Sequence, residues 1–343
     1  MKELDRIAIP IIGNEVCEHP RSLCWHGDTL IDWVGGGVRY ELDGSCSRPA
    51  VRYAYEFDQA VGSSDGIYVA FVTRLGTKGL ILKDGRILRE INRSYYHANV
   101  YEYPVAFLDL PDGRAALAHC PDEYCKLEIE EVESGRRLTG RTSGPKDFFH
   151  SRLAVSSDNR FLVSAGWIWH PFDDAWVYDL MRAIEQPESL DTDPREDFPL
   201  SRTGVMITSA AFAECGLLVL TSTDEFFDPD NDDPKEQRML GPDQIGVYDL
   251  YAKSFRTTAR LTEPAGTLMP LAEDYAVGFY QHPKLIDLKT GAILRKWEEL
   301  SSGSQLSSII WHLEEKLPPL ALDPVNKRFA VASGREITVI QLG

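Results

Sequence analysis

The stretch Phe148–Leu180, FFHSRLAVSSDNRFLVSAGWIWHPFDDAWVYDL, contains three short apolar runs. The runs are Arg152–Val155, Phe161–Ala165 and Ala175–Leu180. The first two are joined by Ser-Ser-Asp-Asn, in which Asp and Asn tolerate the left-handed backbone of tight turns. An aromatic loop with one proline separates the second run from the third. Together these features predict most of one four-stranded antiparallel sheet.

Versions of this unit recur seven times along the chain, at intervals of roughly 40 to 60 residues, which is typical of propeller blades. The first turns of the seven units contain, in order, Asp28, Asp65, Asp112, Asp158, Glu214, Asp274 and Asn326. Later in the units, KDGRIL, ESGRRL and KTGAIL are hairpin turns with Gly where a positive φ is needed. The repeats therefore predict an all-β fold, a seven-bladed β-propeller of four-stranded antiparallel blades, with residues 1–343 as a single domain. The alternative, a β-sandwich pair, does not explain seven equivalent units.

The two ends of the chain complement each other. The seventh unit stops after three strands at Gly343, and a spare strand, Arg6–Ile12, precedes the first unit. We therefore expect the N-terminal strand to pair beside Glu336–Leu342 and to supply the fourth strand of the last blade. Such closure removes the exposed sheet edges of an open array.

The tetrapeptide VYDL occurs twice, with Tyr178-Asp179 and Tyr248-Asp249 standing where Trp-Asp stands in a WD40 blade. By its repeat pattern the whole chain resembles the WD40-like and YVTN (quinoprotein-dehydrogenase-like) seven-bladed β-propellers. This resemblance implies the same propeller architecture.

Composition excludes several classes of function. The chain has 36 Lys and Arg against 53 Asp and Glu, a formal charge of −17, and no basic run. Nucleic-acid binding proteins need a cationic surface, so we expect no nucleic-acid partner, whereas a protein partner with a basic face fits this charge. No apolar stretch is long enough for a membrane span, and Pro10 interrupts the N-terminal run Ile7–Ile12, so we expect neither membrane association nor a signal peptide. The sequence predicts a cytoplasmic monomer.

No motif predicts a metal or a cofactor. Cysteines occur at positions 17, 24, 46, 120, 125 and 215, and we expect them to be reduced. CPDEYC, from Cys120 to Cys125, lacks the second ligand pair of a zinc site. The insertion Asp224–Arg238 has Asp or Glu at seven of fifteen positions. Within it, DPDNDD at Asp228–Asp233 begins like a calcium loop, but Met239 occupies the twelfth position counted from Asp228, where the loop needs Glu. We therefore expect a mobile acidic loop outside the core.

Helical patterns are scarce. Residues 179–186, DLMRAIEQ, and residues 304–317, SQLSSIIWHLEEKL, have helical spacing. We expect both to be short loop helices that cap a blade.

One face of the predicted propeller has long aromatic loops. We call it the long-loop face: it contains the loops between second and third strands and the linkers between blades. Six of the eight histidines fall on it: His97, His119, His150, His170, His282 and His312. Aromatic rings and imidazoles offer large contact areas at small entropic cost. The predicted binding residues are Trp167, Trp169, His170, His150, His97, His282, His312 and Phe172.

Three functional hypotheses follow. The first is a non-catalytic scaffold that binds another protein through the long-loop face. The second is a metal-dependent lyase or hydrolase with histidines at the mouth of the central channel. In oligogalacturonate-lyase-like propellers several His and a Gln surround a metal, and Gln281-His282, His150 and His170 are the candidates here. The third is that the histidines and aromatic residues only stiffen long loops.

Overall fold

The computed structural model describes residues 1–11, 19–49, 51, 53–214 and 216–343. Within these ranges the strands form seven antiparallel sheets, five with four strands and two with three. We call the sheets blades 1 to 7 in chain order, beginning with the sheet that contains Cys24. The first strand of the chain, β1 (Glu3–Pro10), belongs to blade 7.

Each blade is built from strands that follow one another in sequence, the first strand lying nearest the axis. Blade 1 comprises β2 (Cys24–His26), β3 (Thr29–Asp32), β4 (Val38–Glu41) and β5 (Cys46–Ser47), and blade 2 comprises β6 (Gln59–Gly62), β7 (Tyr68–Val72), β8 (Lys78–Lys83) and β9 (Arg86–Asn92). Blade 5 comprises β16 (Met206–Phe212), β17 (Leu217–Thr223), β18 (Gln244–Asp249) and β19 (Ser254–Arg260), and blade 6 comprises β20 (Leu268–Leu271), β21 (Tyr275–Gly278), β22 (Lys284–Asp287) and β23 (Ile293–Lys296). Blade 7 comprises β24 (Leu320–Asp323), β25 (Arg328–Ser333), β26 (Glu336–Leu342) and β1. The three-stranded blades 3 and 4 comprise β10 (Val105–Asp109), β11 (Ala115–His119) and β12 (Glu128–Glu131), and β13 (Leu153–Val155), β14 (Phe161–Ile168) and β15 (Phe172–Asp179).

The blades form a ring around a central channel. First strands of neighbouring blades contact each other, as β2 does with both β6 and β24. In the described chain, seven clusters of buried apolar side chains each fill the interface between two neighbouring blades. Leu30 of blade 1, for example, shares a cluster with Ile337 of blade 7. The predicted seven-bladed propeller is confirmed.

Blade 7 closes the ring as predicted. Strand β1 pairs antiparallel with β26, with Glu3 opposite Leu342 and Pro10 opposite Glu336. Ile9 is fully buried in the cluster between blades 7 and 1. The observed strand begins three residues before the predicted Arg6–Ile12, whose last residue lies outside the described residues.

Blade 4, built from the stretch that predicts the fold, has three strands instead of the four expected. After Asp179 caps helix α1 (Leu180–Glu185), two short 3-10 turns follow, Pro187–Asp191 and Pro194–Glu196. Arg195 in the second turn lies 5.5 Å above the Trp176 ring of β15. We call residues 180–200 the strap. The strap covers the outer edge of β15, where a fourth strand would otherwise pair. The prediction of a short helix within 179–186 is confirmed.

The prediction of a helix over residues 304–317 is wrong. This segment is irregular, and we call it the crossing segment. It leaves blade 6 and reaches blade 3, where the amide of Glu102 donates to the carbonyl of Ser308 at 3.1 Å and Tyr101 pairs with Ile309. The carbonyl of Leu306 accepts from Ser209 on the first strand of blade 5. Because these backbone groups bond across the ring, they are not available for helical hydrogen bonds.

The acidic insertion lies between β17 and β18 and contains two 3-10 turns, Pro229–Asn231 and Pro234–Glu236. Its acidic side chains are mostly exposed. Asp232 accepts from Arg202 at 3.0 Å, which ties the insertion to the chain before blade 5. Its mobility stays a prediction.

The described cysteines form no disulfides. Cys24, Cys46, Cys120 and Cys125 are free thiols, and Cys17 and Cys215 lie outside the described residues. Among the helices that the structure describes, none has the length and apolar character of a membrane span.

Candidate functional site

An aromatic column stands on the long-loop face where blades 3 and 4 meet. Phe149 stacks on Trp167 with ring centroids 3.8 Å apart and planes at 8°, and on Tyr124 at 4.1 Å and 24°. Trp169 lies 5.8 Å from both Phe149 and Trp167, and Tyr96 lies 5.0 Å from Tyr124. We use the name aromatic column for Tyr96, Tyr124, Phe149, Trp167 and Trp169.

Backbone pairing sets the column. Phe149 and Trp167 exchange two backbone hydrogen bonds, of 2.8 and 3.2 Å, at the loop end of β14. A Cβ atom on Gly166 would lie 2.0 Å from the carbonyl oxygen of Phe149, so this close approach requires glycine. Side chains two residues apart on extended chain share a face, which places Trp169 on the same side as Trp167.

Burial divides the column into a base and a surface. Phe149 and Trp167 are 1% and 3% exposed, whereas Trp169 and Tyr96 are 43% and 44% exposed. His97 packs beside this surface, with its ring 5.0 Å from that of Trp169. The exposed rings therefore rest on a rigid, buried aromatic base, which is a suitable arrangement for a contact surface.

Arg93 anchors the loop that carries Tyr96 and His97. Its guanidinium is buried and stacks over the Tyr101 ring at 4.6 Å. It donates hydrogen bonds to five backbone carbonyl oxygens, those of Arg74, Gly76, Ala98, Tyr101 and Glu102. One side chain thus ties the loop after β9 to the turn between β7 and β8.

The predicted site residues near blade 4 differ in exposure. His170 is exposed at the tip of the β14–β15 hairpin, where its φ is 102°. Phe172 is half-buried, with its ring 6.1 Å from Phe226 of the acidic insertion. His150 is buried and bonds to Ser164 at 3.1 Å, and burial lowers the pKa of its imidazole to about 3. His150 therefore supports the fold beneath the face as a neutral side chain.

The remaining predicted residues lie apart from the column. His282 is held on blade 6, where its Nδ1 lies 2.9 Å from the carbonyl oxygen of Leu300. His312 is exposed on the crossing segment, with its ring 6.1 Å from Trp311. The structure therefore groups His97, Trp167 and Trp169 and separates them from His282.

Sequence reasoning missed several contributors to this surface. Tyr96, Tyr124 and Phe149 complete the column, and Tyr95 and Trp311 are 86% and 62% exposed on neighbouring segments. All five lie in the aromatic-rich loops of the long-loop face, which was the available signal. Their stacking joins segments far apart in sequence and could not be predicted from spacing.

Acidic groups border the aromatic surface. The hydroxyl of Tyr124 donates to exposed Asp147 at 2.8 Å. On the other side of the β14–β15 hairpin, Phe226 brings the acidic insertion against Phe172. The exposed rings are thus flanked by negative charge.

The channel mouth on this face contains an ion pair and the crossing segment. Gln305 donates to Glu102, whose carboxylate lies 3.7 Å from Arg152. Arg152 also donates to Thr267 at 3.1 Å and to the carbonyl of Thr208 at 3.3 Å. Across the residues that the structure describes, no group of three or more His, Cys, Asp or Glu side chains is placed to hold a metal. The histidines of the lyase or hydrolase hypothesis are therefore not assembled as ligands.

Comparisons with known proteins identify the architecture. No family model and no curated protein matches the chain. Among solved structures, the hydrazine synthase of Kuenenia stuttgartiensis aligns with a TM-score of 0.57 and 12% identity over 97% of both chains. The β-propeller domain of Myceliophteria thermophila Cps50 (Swd1) aligns with a TM-score of 0.57 and 12% identity, over 98% of this chain and 100% of that one. A chain of a mitotic checkpoint complex aligns with a TM-score of 0.55 and 11% identity, over 99% and 91%.

These identities are low, so the likeness concerns the fold alone. It extends over nearly the whole of each chain, including a domain described as a β-propeller. The resemblance to WD40-like propellers drawn from the repeats is confirmed at the level of architecture: the chain has the seven-bladed β-propeller fold.

Proposed function

We propose that this protein is a non-catalytic scaffold that binds another protein through its long-loop face, with Trp169 at the centre of the contact. The observation that carries the proposal is the aromatic column: exposed Trp169 and Tyr96 rest on the buried rings of Phe149 and Trp167. Large rings that are already held in place lose little entropy on binding, which is why they dominate binding energies.

The charge around the column supports a partner with a basic face. Asp147 borders Tyr124, and the acidic insertion follows on the far side of the β14–β15 hairpin. Arginine suits such a surface because its guanidinium stacks on aromatic rings and pairs with carboxylates. In this proposal the scaffold is cytoplasmic and acts as a monomer.

The test measures the affinity of the purified native partner for wild type and for the double variant Trp169→Ala/His170→Ala. Both side chains are exposed, so the variant should fold. Binding should weaken by about 2 kcal/mol or more, roughly thirtyfold, as for a hot spot. Affinity should also fall as salt rises, because exposed charge pairs are screened.

Val325→Ala is the matched control, since Val325 is 86% exposed in the first turn of blade 7 on the opposite face. It should bind the partner with wild-type affinity. Unchanged binding by the folded double variant, or an equal loss in Val325→Ala, would contradict the proposed surface.

A further inference from the structure

A cavity of about 570 Å³, lined by both polar and apolar residues, lies on the long-loop face above blade 5. Its floor contains Thr208 of β16 and Thr221 of β17, and its outer wall contains Asp243 and Arg260. The linker between blades 5 and 6 closes one side with Thr262. Pockets of about 300–1,000 Å³ are the usual size for small-molecule ligands.

A second cavity, of about 390 Å³, continues the first beneath the acidic insertion. It shares Asp243 and Arg260 and adds Phe227 of the insertion. Asp243 has a φ of 52°, an uncommon value for a residue other than glycine, and its carbonyl accepts from Leu261 at 2.8 Å. Asp243 thus stands between the two cavities, on a backbone that is tied to the linker.

The floor offers hydrogen-bond acceptors. Thr208 and Thr221 are 4% and 2% exposed, and their hydroxyl oxygens lie 3.1 Å apart. Thr208 also reaches the carbonyl of Thr221 at 3.3 Å. When Thr208 donates to that carbonyl and Thr221 donates to Thr208, both protons are used while oxygen lone pairs remain open. A ligand that reaches the floor therefore needs hydroxyl or amide donors.

The charges that line the cavity are compensated locally. Asp243 lies 4.0 Å from Arg260. Glu263, on the same linker as Thr262, accepts from Lys284 at 2.6 Å and from Lys296 at 3.0 Å. The hydrogen bond from Lys284 lowers the pKa of Glu263 and keeps it an ionised acceptor, although burial opposes this. A neutral ligand leaves these pairs intact, whereas a strongly charged one would compete with them.

We propose that this cavity binds a neutral, polyhydroxylated small molecule of mono- or disaccharide size. Many hydroxyl donors match the acceptors of the threonine floor and of the two carboxylates, and Arg260 supplies donors at the rim. This site is separate from the aromatic column, and the inference does not depend on the protein partner.

The test uses ligand-observed NMR with D-glucose, D-galactose, myo-inositol and maltose as probes. At least one should bind wild type saturably, with a Kd on the order of 1 mM or tighter. The double variant Thr208→Val/Thr221→Val should weaken that binding at least tenfold. The double variant removes both hydroxyls with little change in side-chain shape. It should cost far less folding stability than a single variant, which would leave the other threonine hydroxyl without its hydrogen-bond partner. Saturable binding of none of the four probes would overturn the proposal.

Two further variants keep the result interpretable. Thr262→Phe places a large ring at an exposed rim position, so it should fold even where the floor variant does not, and it should also weaken binding at least tenfold. Thr257→Val on β19 of the same blade, outside the lining of the cavity, should bind as wild type. Wild-type affinity in Thr262→Phe, or in a folded floor variant, would overturn the site.

Two measurements separate this proposal from other readings. Trp169→Ala/His170→Ala should bind the probe normally, since those residues lie outside the cavity. Glucose 6-phosphate and glucosamine should bind no more tightly than glucose, and a tenfold preference for either would overturn the neutral ligand class.

Discussion

At the scale of single residues, burial separates side chains of the same type and charge. His150 and His170 are twenty positions apart on the same face, yet His150 is buried beneath it and His170 is exposed. Asp173 is buried among β-strands, while most acids of the insertion face solvent. Burial penalises the charged form, so it lowers the pKa of His150 and raises that of Asp173.

Asp173 makes stability depend on pH in a defined direction. Its pKa is about 7 in the folded chain, against an ordinary value of 3.8. The folded state therefore binds the proton more tightly, and the stability gained from it is present below about pH 3.8 and lost as pH rises through about 7. Asp173→Asn removes this loss. The stability of the variant relative to wild type should rise by up to ~1.4 kcal/mol per pH unit across that window.

Urea unfolding of Asp173→Asn and wild type at pH 4.5, 6 and 7.5 checks the direction. Asp230→Asn, at an exposed position of the insertion, is the control and should show no such trend. Parallel stability profiles for Asp173→Asn and wild type would show that the buried carboxyl does not hold its proton.

At the scale of elements, the chain replaces or extends standard propeller parts without changing the ring. The strap over residues 180–200 takes the place of a fourth strand in blade 4. The crossing segment spans the channel mouth, and the acidic insertion extends the β17–β18 loop of blade 5. Only the strap and the crossing segment bury apolar residues, such as Leu190 and Ile310.

The acidic insertion should contribute little to stability. Replacing residues 225–238 with a short Gly/Ser linker removes exposed acids and the ion pair of Asp232 with Arg202, and such pairs contribute about 0–1 kcal/mol. The free energy of unfolding should therefore change by less than ~1.5 kcal/mol. Chemical denaturation measures it.

Leu240→Ala is the control at the base of the same loop. Leu240 is fully buried between blades 4 and 5, so its truncation should cost about 2–5 kcal/mol. A loss of that size on removing residues 225–238 would show that the insertion is a packed part of the ring.

At the scale of the whole molecule, one strand joins the two ends of the chain. Pairing of β1 with β26 runs from Glu3 to Pro10 and covers the edge that β26 would otherwise expose in the last blade. Ile9 packs into the cluster that also holds Leu30 of blade 1 and Ile337 of β26. Ile9 therefore holds β1 against β26 within blade 7 and also packs blade 7 against blade 1.

Weakening this closure should destabilise the entire ring. Ile9→Ala should cost about 2–5 kcal/mol, because Ile9 is fully buried. Deleting residues 1–10 should lower the melting temperature further, since it also exposes the edge of β26. Leu4→Ala in the same strand is the control: Leu4 is 59% exposed, and its truncation should change stability by no more than ~0.5 kcal/mol. An unchanged melting temperature after the deletion would contradict closure by β1.

The number of blades, the positions of their first turns and the strand that closes the ring were predictable from the sequence alone. These features depend on local chemistry, because alternation, hairpin glycines and turn residues such as Asn159, with its φ of 54°, act within a few residues. The short helix after Asp179 was predictable for the same reason.

Which loop residues form a surface depends on the three-dimensional arrangement of the blades. Phe149 and Trp167 meet through backbone pairing between separate segments, and Tyr124 stacks on Phe149 from another blade. The crossing segment has helical spacing, yet its backbone bonds instead to Val100 and Glu102, far away in the chain. Exposure of Trp169 and burial of His150 likewise depend on which segments the ring brings together, and such long-range contacts leave no local pattern in the sequence.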